Sequence, residues 1–195
     1  MKTIQLPTSS LSAFYTLVEE ARQLSTSRVN DELQSYLVLL LLQWVKSPQI
    51  ADSIFALDFL ENIKKTRTAN LQALREIGDK CLIFSGLFPG NARRRLVNVS
   101  YYVRLGQNAY LALSRHSHDK LAPLYEKLGQ HFVPLMDILQ TIREMDKKEN
   151  ALDLLEAEDL WNKTHSDHAL KILRTATQGF LIVDNSNHFE PKQYH

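Results

Sequence analysis

Apolar residues recur along this chain at helical spacing rather than in strand-like alternation. Leu11, Phe14, Leu17, Val18, Ala21 and Leu24 make one face opposite Glu19, Glu20 and Arg22, with Ser9 and Ser10 placed as N-caps and Ser25-Thr26-Ser27 closing the helix. Asn30 or Asp31 then caps a leucine-rich helix that runs to about Ser47, because Pro48 disfavours helical backbone in the residue before it. The pair predicts an antiparallel hairpin, and the run Tyr36 to Val45 reads as a core helix buried on most sides. Ile54, Phe55, Leu57, Phe59, Leu60 and Ile63 form a further apolar cluster, which gives way to solvated Lys64-Lys65-Thr66-Arg67. The stripe Leu71, Leu74, Ile77, Cys81, Leu82 and Phe84 ends at Ser85-Gly86-Leu87-Phe88-Pro89-Gly90, where two glycines and a proline predict a turn.

Beyond that turn, Tyr101 to about Arg115 is predicted helical after Asn98 or Ser100 as cap, with Tyr102, Gly106 and Tyr110 on one line. Gly106 there admits the close approach of another backbone. Leu121 to Met145 reads as a further helix, with Gly129 and Pro134 as kink points. The acidic stretch Lys147 to Asp159 is a short helix or an ordered connector, and a last helix covers about Ser166 to Gln178. Phe180-Leu181-Ile182-Val183 is a short edge strand or an extended tail, and 184–195 a frayed end. No internal repeat or Pro/Gly/Ser-rich linker divides the chain, so the expectation is one all-α domain, 1–195, of six to eight helices. The leucine-rich helix and the 71–85 helix are expected at its centre.

The 195 residues are 44% hydrophobic, which suffices for a real core and excludes disorder over the whole length. The most apolar stretch is far shorter than the roughly 20 residues that cross a bilayer, so no membrane association is expected. A lone Cys81 makes no intramolecular disulfide, and the N-terminal residues lack the apolar core of a secretory signal, which together point to a cytoplasmic setting. The net charge of +1 conceals a segregation. Residues 1–61 carry 4 basic and 7 acidic side chains, 62–120 carry 11 and 3, and 121–195 carry 8 and 12, or −3, +8 and −4.

Signatures of nucleotide-binding loops, zincins, EF-hands and nucleophile elbows are absent, and none of the seven histidines has Glu three positions before it, as a di-iron bundle needs. His116 and His118, and His165 and His168, read as polar helix boundaries rather than metal ligands. Cys81 lies in an apolar stripe and reads as core, and Glu156, Glu158 and Asp159 as a solvated acidic helix start. No catalytic residue, metal or cofactor is therefore expected.

The central segment gathers polar, aromatic and glycine residues within helical pattern. Asp79 is flanked by apolar positions, so in a buried helix it needs a partner, an arginine of the Arg93-Arg94-Arg95 triplet or a tyrosine hydroxyl. One reading is a buried hydrogen-bonded network that fixes helix packing, favoured for Asp79 and Tyr102. The other is a ligand site lined by Ser85, Arg94, Arg95, Tyr102 and Tyr110. Three consecutive arginines on a helix point about 100° apart, so at least one faces solvent and is available to an anionic partner.

Gly78, Asp79, Leu82, Ser85, Gly86, Phe88, Arg94, Arg95, Tyr101, Tyr102, Gly106, Ala109 and Tyr110 together give this segment a resemblance. It is similar to a family of bacterial helical proteins with a central Gly-Asp-x-x-Leu-x-x-Ser-Gly-x-Phe stretch, an Arg-rich step, a Tyr-Tyr pair, then Gly and Ala-Tyr. Coverage is clearest over 71–113; Cys81 and Leu87 depart from the pattern, where a small hydroxyl residue and an aromatic are expected. The resemblance implies one helical domain in a bacterial cytoplasm and no particular activity.

Two functions follow as expectations. The first is a non-enzymatic interaction or regulatory protein, its basic surface around Arg93, Arg94, Arg95 and Tyr101 recognising an acidic protein or, as the lesser choice, nucleic acid; a homo-oligomer is compatible with it. The second is a small-molecule-binding protein or enzyme with Asp79, Ser85, Tyr102 and Tyr110 converging on one cavity.

Overall fold

The computed structural model describes residues 8–25, 27–46, 71–89, 98–117, 120–147 and 152–176. Eight helices run through them: α1 Thr8–Ser25, α2 Asp31–Lys46, α3 Leu71–Leu87, α4 Val99–His116, α5 Ala122–Gln130, α6 Phe132–Lys147, α7 Leu154–Thr164 and α8 Asp167–Ala176. Among the described residues there is no strand, and the helices share one apolar core, so the all-α expectation holds. The apolar cluster over 54–63, the Arg93–Arg95 step and the segments 180–183 and 184–195 lie outside the described residues.

Local chemistry explains the boundaries. Asn30 caps α2, its Oδ1 accepting the Leu33 N–H at 3.0 Å. α1 packs on α2 across the short intervening loop, where Gln34 Nε2 donates to Glu19 Oε2 at 2.9 Å. α7 opens with a capping box, Asp153 accepting the Glu156 N–H at 2.8 Å while Glu156 accepts the Asp153 N–H at 3.2 Å. It stops at His165, whose φ of 53° is left-handed.

Three expectations change. α3 runs through Ser85-Gly86 to Leu87 and the turn of the 85–90 segment begins only at Pro89; Gly86 instead serves close packing, since a Cβ there would lie 2.4 Å from Leu139 Cβ on α6. The single helix over 121–145 is two, broken at His131 rather than kinked. Pro134 has no N–H for the Gln130 carbonyl and its ring would collide with it, so the helix restarts at Phe132 with proline in its first turn. The leucine-rich α2 is buried along one face only, with Leu39 60% and Val45 61% exposed.

α3 is the central element, packed on α4 and α6, and every residue from Cys81 to Gly86 is buried. Gly106 is tight as expected, but its neighbours are side chains, the Phe132 ring and Cys81 Cβ. α2 packs on α1 and α5 and reaches α3 mainly through long side chains, Tyr36 to Asp79 and Trp44 against the Phe88 ring at 6.0 Å. Between α2 and α3 a small cleft remains.

Candidate functional site

Asp79 sits on the side of α3 that faces α2 and α4, its side chain only 14% exposed. Its Oδ1 accepts two phenolic hydroxyls, Tyr36 of α2 at 2.6 Å and Tyr110 of α4 at 2.7 Å. Oδ2 lies 3.6 Å from Arg75 Nε, one helical turn back, an ion-pair separation beyond a good hydrogen bond. The Arg75 guanidinium also stands over the Tyr36 ring at 5.9 Å, and the Tyr36 and Tyr110 rings meet edge to face at 6.4 Å. One carboxylate thus ties three helices together.

Burial pushes the Asp79 carboxyl above its ordinary range, against the two hydroxyl donors and Arg75, which pull it down. Burial and the adjacent Asp79 charge push both tyrosines well above theirs, so Tyr36 and Tyr110 stay protonated donors. Burial likewise pushes the Cys81 thiol up to about 12, which keeps it protonated in the closed fold. Asp79 also lines the α2–α3 cleft, about 50 Å³, with Leu40, Gln43, Trp44, Glu76 and Lys80.

The structure therefore joins Asp79 to Tyr110 and separates the other expected members. Ser85 is fully buried and bonds its own helix, donating to Cys81 O at 2.8 Å, while Gln140 Nε2 donates to Ser85 O at 3.0 Å. Tyr102 packs its ring 4.4 Å from Phe84, and Tyr101 stands edge-on to Tyr102 at 5.5 Å. Arg93, Arg94 and Arg95 lie outside the described residues, so Asp79's observed partners are the tyrosine hydroxyls and Arg75.

Sequence reasoning missed Tyr36 and Arg75, and both had a signal. Arg75 is four residues before Asp79, and Tyr36 is the polar interruption between Leu33 and Leu40 on the inward face of α2. A second polar centre was missed altogether. Asp137 on α6 is 2% exposed and accepts the Ser166 hydroxyl at 2.6 Å and, more weakly, the His168 N–H at 3.4 Å. His168, read as a polar boundary, is itself buried, with Nε2 3.0 Å from Glu144 Oε1. Ser166 Oγ also accepts the Ala169 N–H at 3.1 Å, so the same hydroxyl caps α8 and ties it to α6.

His165 lies edge-on to Trp161, and His116 Nδ1 is 2.7 Å from Ala112 O; His118 is outside the described residues. Among the described residues no three His, Cys, Asp or Glu side chains gather as a metal site, and no helix is long and apolar enough to cross a membrane. No protein-family model, curated protein or solved structure matches the chain.

Proposed function

We propose that this protein acts by binding, as an interaction or regulatory protein whose central basic surface takes the acidic face of a protein partner. The supporting observation is a division within the basic block. Arg75 and Lys80 on α3 lie beside acids of their own helix, Asp79 at 3.6 Å and Glu76 at 3.9 Å. Arg104 and Arg115 on α4 are exposed and have no ion-pair partner among the described residues. They are eleven positions apart, so they share one line of the helix about 16 Å long, with exposed Asn108 between them. Arg93, Arg94 and Arg95 precede this helix in sequence and exposed Lys120 follows it.

A protein partner is favoured over nucleic acid by the aromatic residues. Tyr102 and Tyr110 are buried and Tyr101 packs on Tyr102, so these rings are not the free platforms on which unpaired bases stack. Retention on poly-glutamate and on duplex DNA, each eluted with salt, tests the reading. The double variants Arg104→Glu/Arg115→Glu and Arg94→Glu/Arg95→Glu should each elute from poly-glutamate at clearly lower salt. Unchanged retention in both folded variants overturns it. Stronger retention on DNA, with a steep logarithmic salt dependence, transfers the surface to nucleic acid.

One observation favours a second reading, a small-molecule site: Asp79, the part-buried carboxylate that accepts both tyrosine hydroxyls, also lines the α2–α3 cleft.

A further inference from the structure

The two oxygens of Asp79 are used unequally. Oδ1 takes both tyrosine hydroxyls, whereas Oδ2 has only Arg75 Nε, at 3.6 Å, and so keeps capacity for a donor. A carboxylate this sheltered is costly to leave short of donors. The cleft beside it, about 50 Å³, has room for one compact head group and a short stem. Its walls combine Leu40, Gln43 and Trp44 with Glu76, Asp79 and Lys80.

We propose that this cleft binds a primary organic ammonium, its nitrogen donating to Asp79 Oδ2 and its short hydrocarbon stem lying against Leu40 and Trp44. A cation gains from the Asp79 carboxylate and from the neighbouring Trp44 indole, while Glu76 offsets Lys80 in the same wall. An anion would have to stand against Asp79 and Glu76. A purely apolar guest would strip water from Oδ2 and return no hydrogen bond. The cations already present are engaged, Lys80 with Glu76 and Arg75 with Asp79 and Tyr36. This site is separate from the α4 basic face, and either stands if the other fails.

The test titrates the whole protein with n-butylammonium and with uncharged 1-butanol, following the two tryptophan indole N–H signals by NMR. Trp44 lines the cleft and Trp161, on α7, serves as internal control. The expected result is a saturable shift of Trp44 alone with n-butylammonium, dissociating in the millimolar range, and no saturation with 1-butanol. Asp79→Asn, which keeps an acceptor oxygen for the tyrosines, should weaken binding at least tenfold. Gln43→Lys at the exposed rim should weaken it several-fold and serves where Asp79→Asn does not fold. Absence of a Trp44 shift, equal binding of 1-butanol, or unchanged affinity in the folded variants overturns the proposal.

Discussion

Asp137 shows what a single buried residue contributes. With one close donor, Ser166, and a weaker one in the His168 backbone, burial dominates and pushes its carboxyl from 3.8 up to about 6. The folded protein therefore holds this proton more tightly than the unfolded chain does. Its contribution to stability is complete below about pH 4 and is lost as pH rises through about 6, in all about 3 kcal/mol. Asp79 is shifted in the same direction, whereas Glu19 is lowered to about 2 by Arg22 and Gln23, so its contribution is present above its ordinary range and fades as pH falls through about 2. Urea midpoints measured from pH 4 to 7 should fall with rising pH, and Asp137→Asn should flatten part of that fall. A variant with the native slope would contradict the assignment. The contrast between the aspartates also marks what the sequence discloses. Asp79 stood out because it falls in the glycine- and aromatic-rich central segment, while Asp137, between Met136 and Ile138, falls in an ordinary helical pattern; the hydroxyl partners of both lie 29 or more residues away.

At the scale of elements, helix existence follows from apolar spacing and helix ends from the chemistry of one or two residues. The capping asparagine of α2 and the approximate extents of α3 and α4 were legible for that reason. The fate of Gly86 was not, since the same residue suits a turn or a helix that needs another helix against its backbone. Leu139, 53 positions later, decides between them. Gly86→Ala follows directly: despite the better intrinsic helix propensity of alanine, its Cβ meets Leu139 backbone-proximal atoms, and the variant should lose about 1–3 kcal/mol. A thermal midpoint equal to or above the native one would show that α3 and α6 can separate at little cost.

Across the whole molecule, α7 and α8 pack chiefly on each other and join the rest through a few polar ties as well as apolar contact. Ser100 on α4 donates to Asp159 on α7 at 2.7 Å, and Ser166 donates to Asp137 on α6. Ser166→Ala removes a cap and leaves a buried carboxylate without its closest donor, which costs about 1–3 kcal/mol. If these two helices open as a unit, hydrogen exchange should quicken through α7 and α8 by roughly tenfold or more while α3 amides hold their protection. Equal acceleration in α3 would mean that the chain opens only as a whole.

The single cysteine lends itself to timing that event. Cys81 lies on α3 with its Cβ beside Gly106 and its thiolate suppressed by burial, so a thiol reagent meets it only when the centre of the bundle parts. Its rate of alkylation is a clock that runs only during opening, and it needs no label added to the native chain.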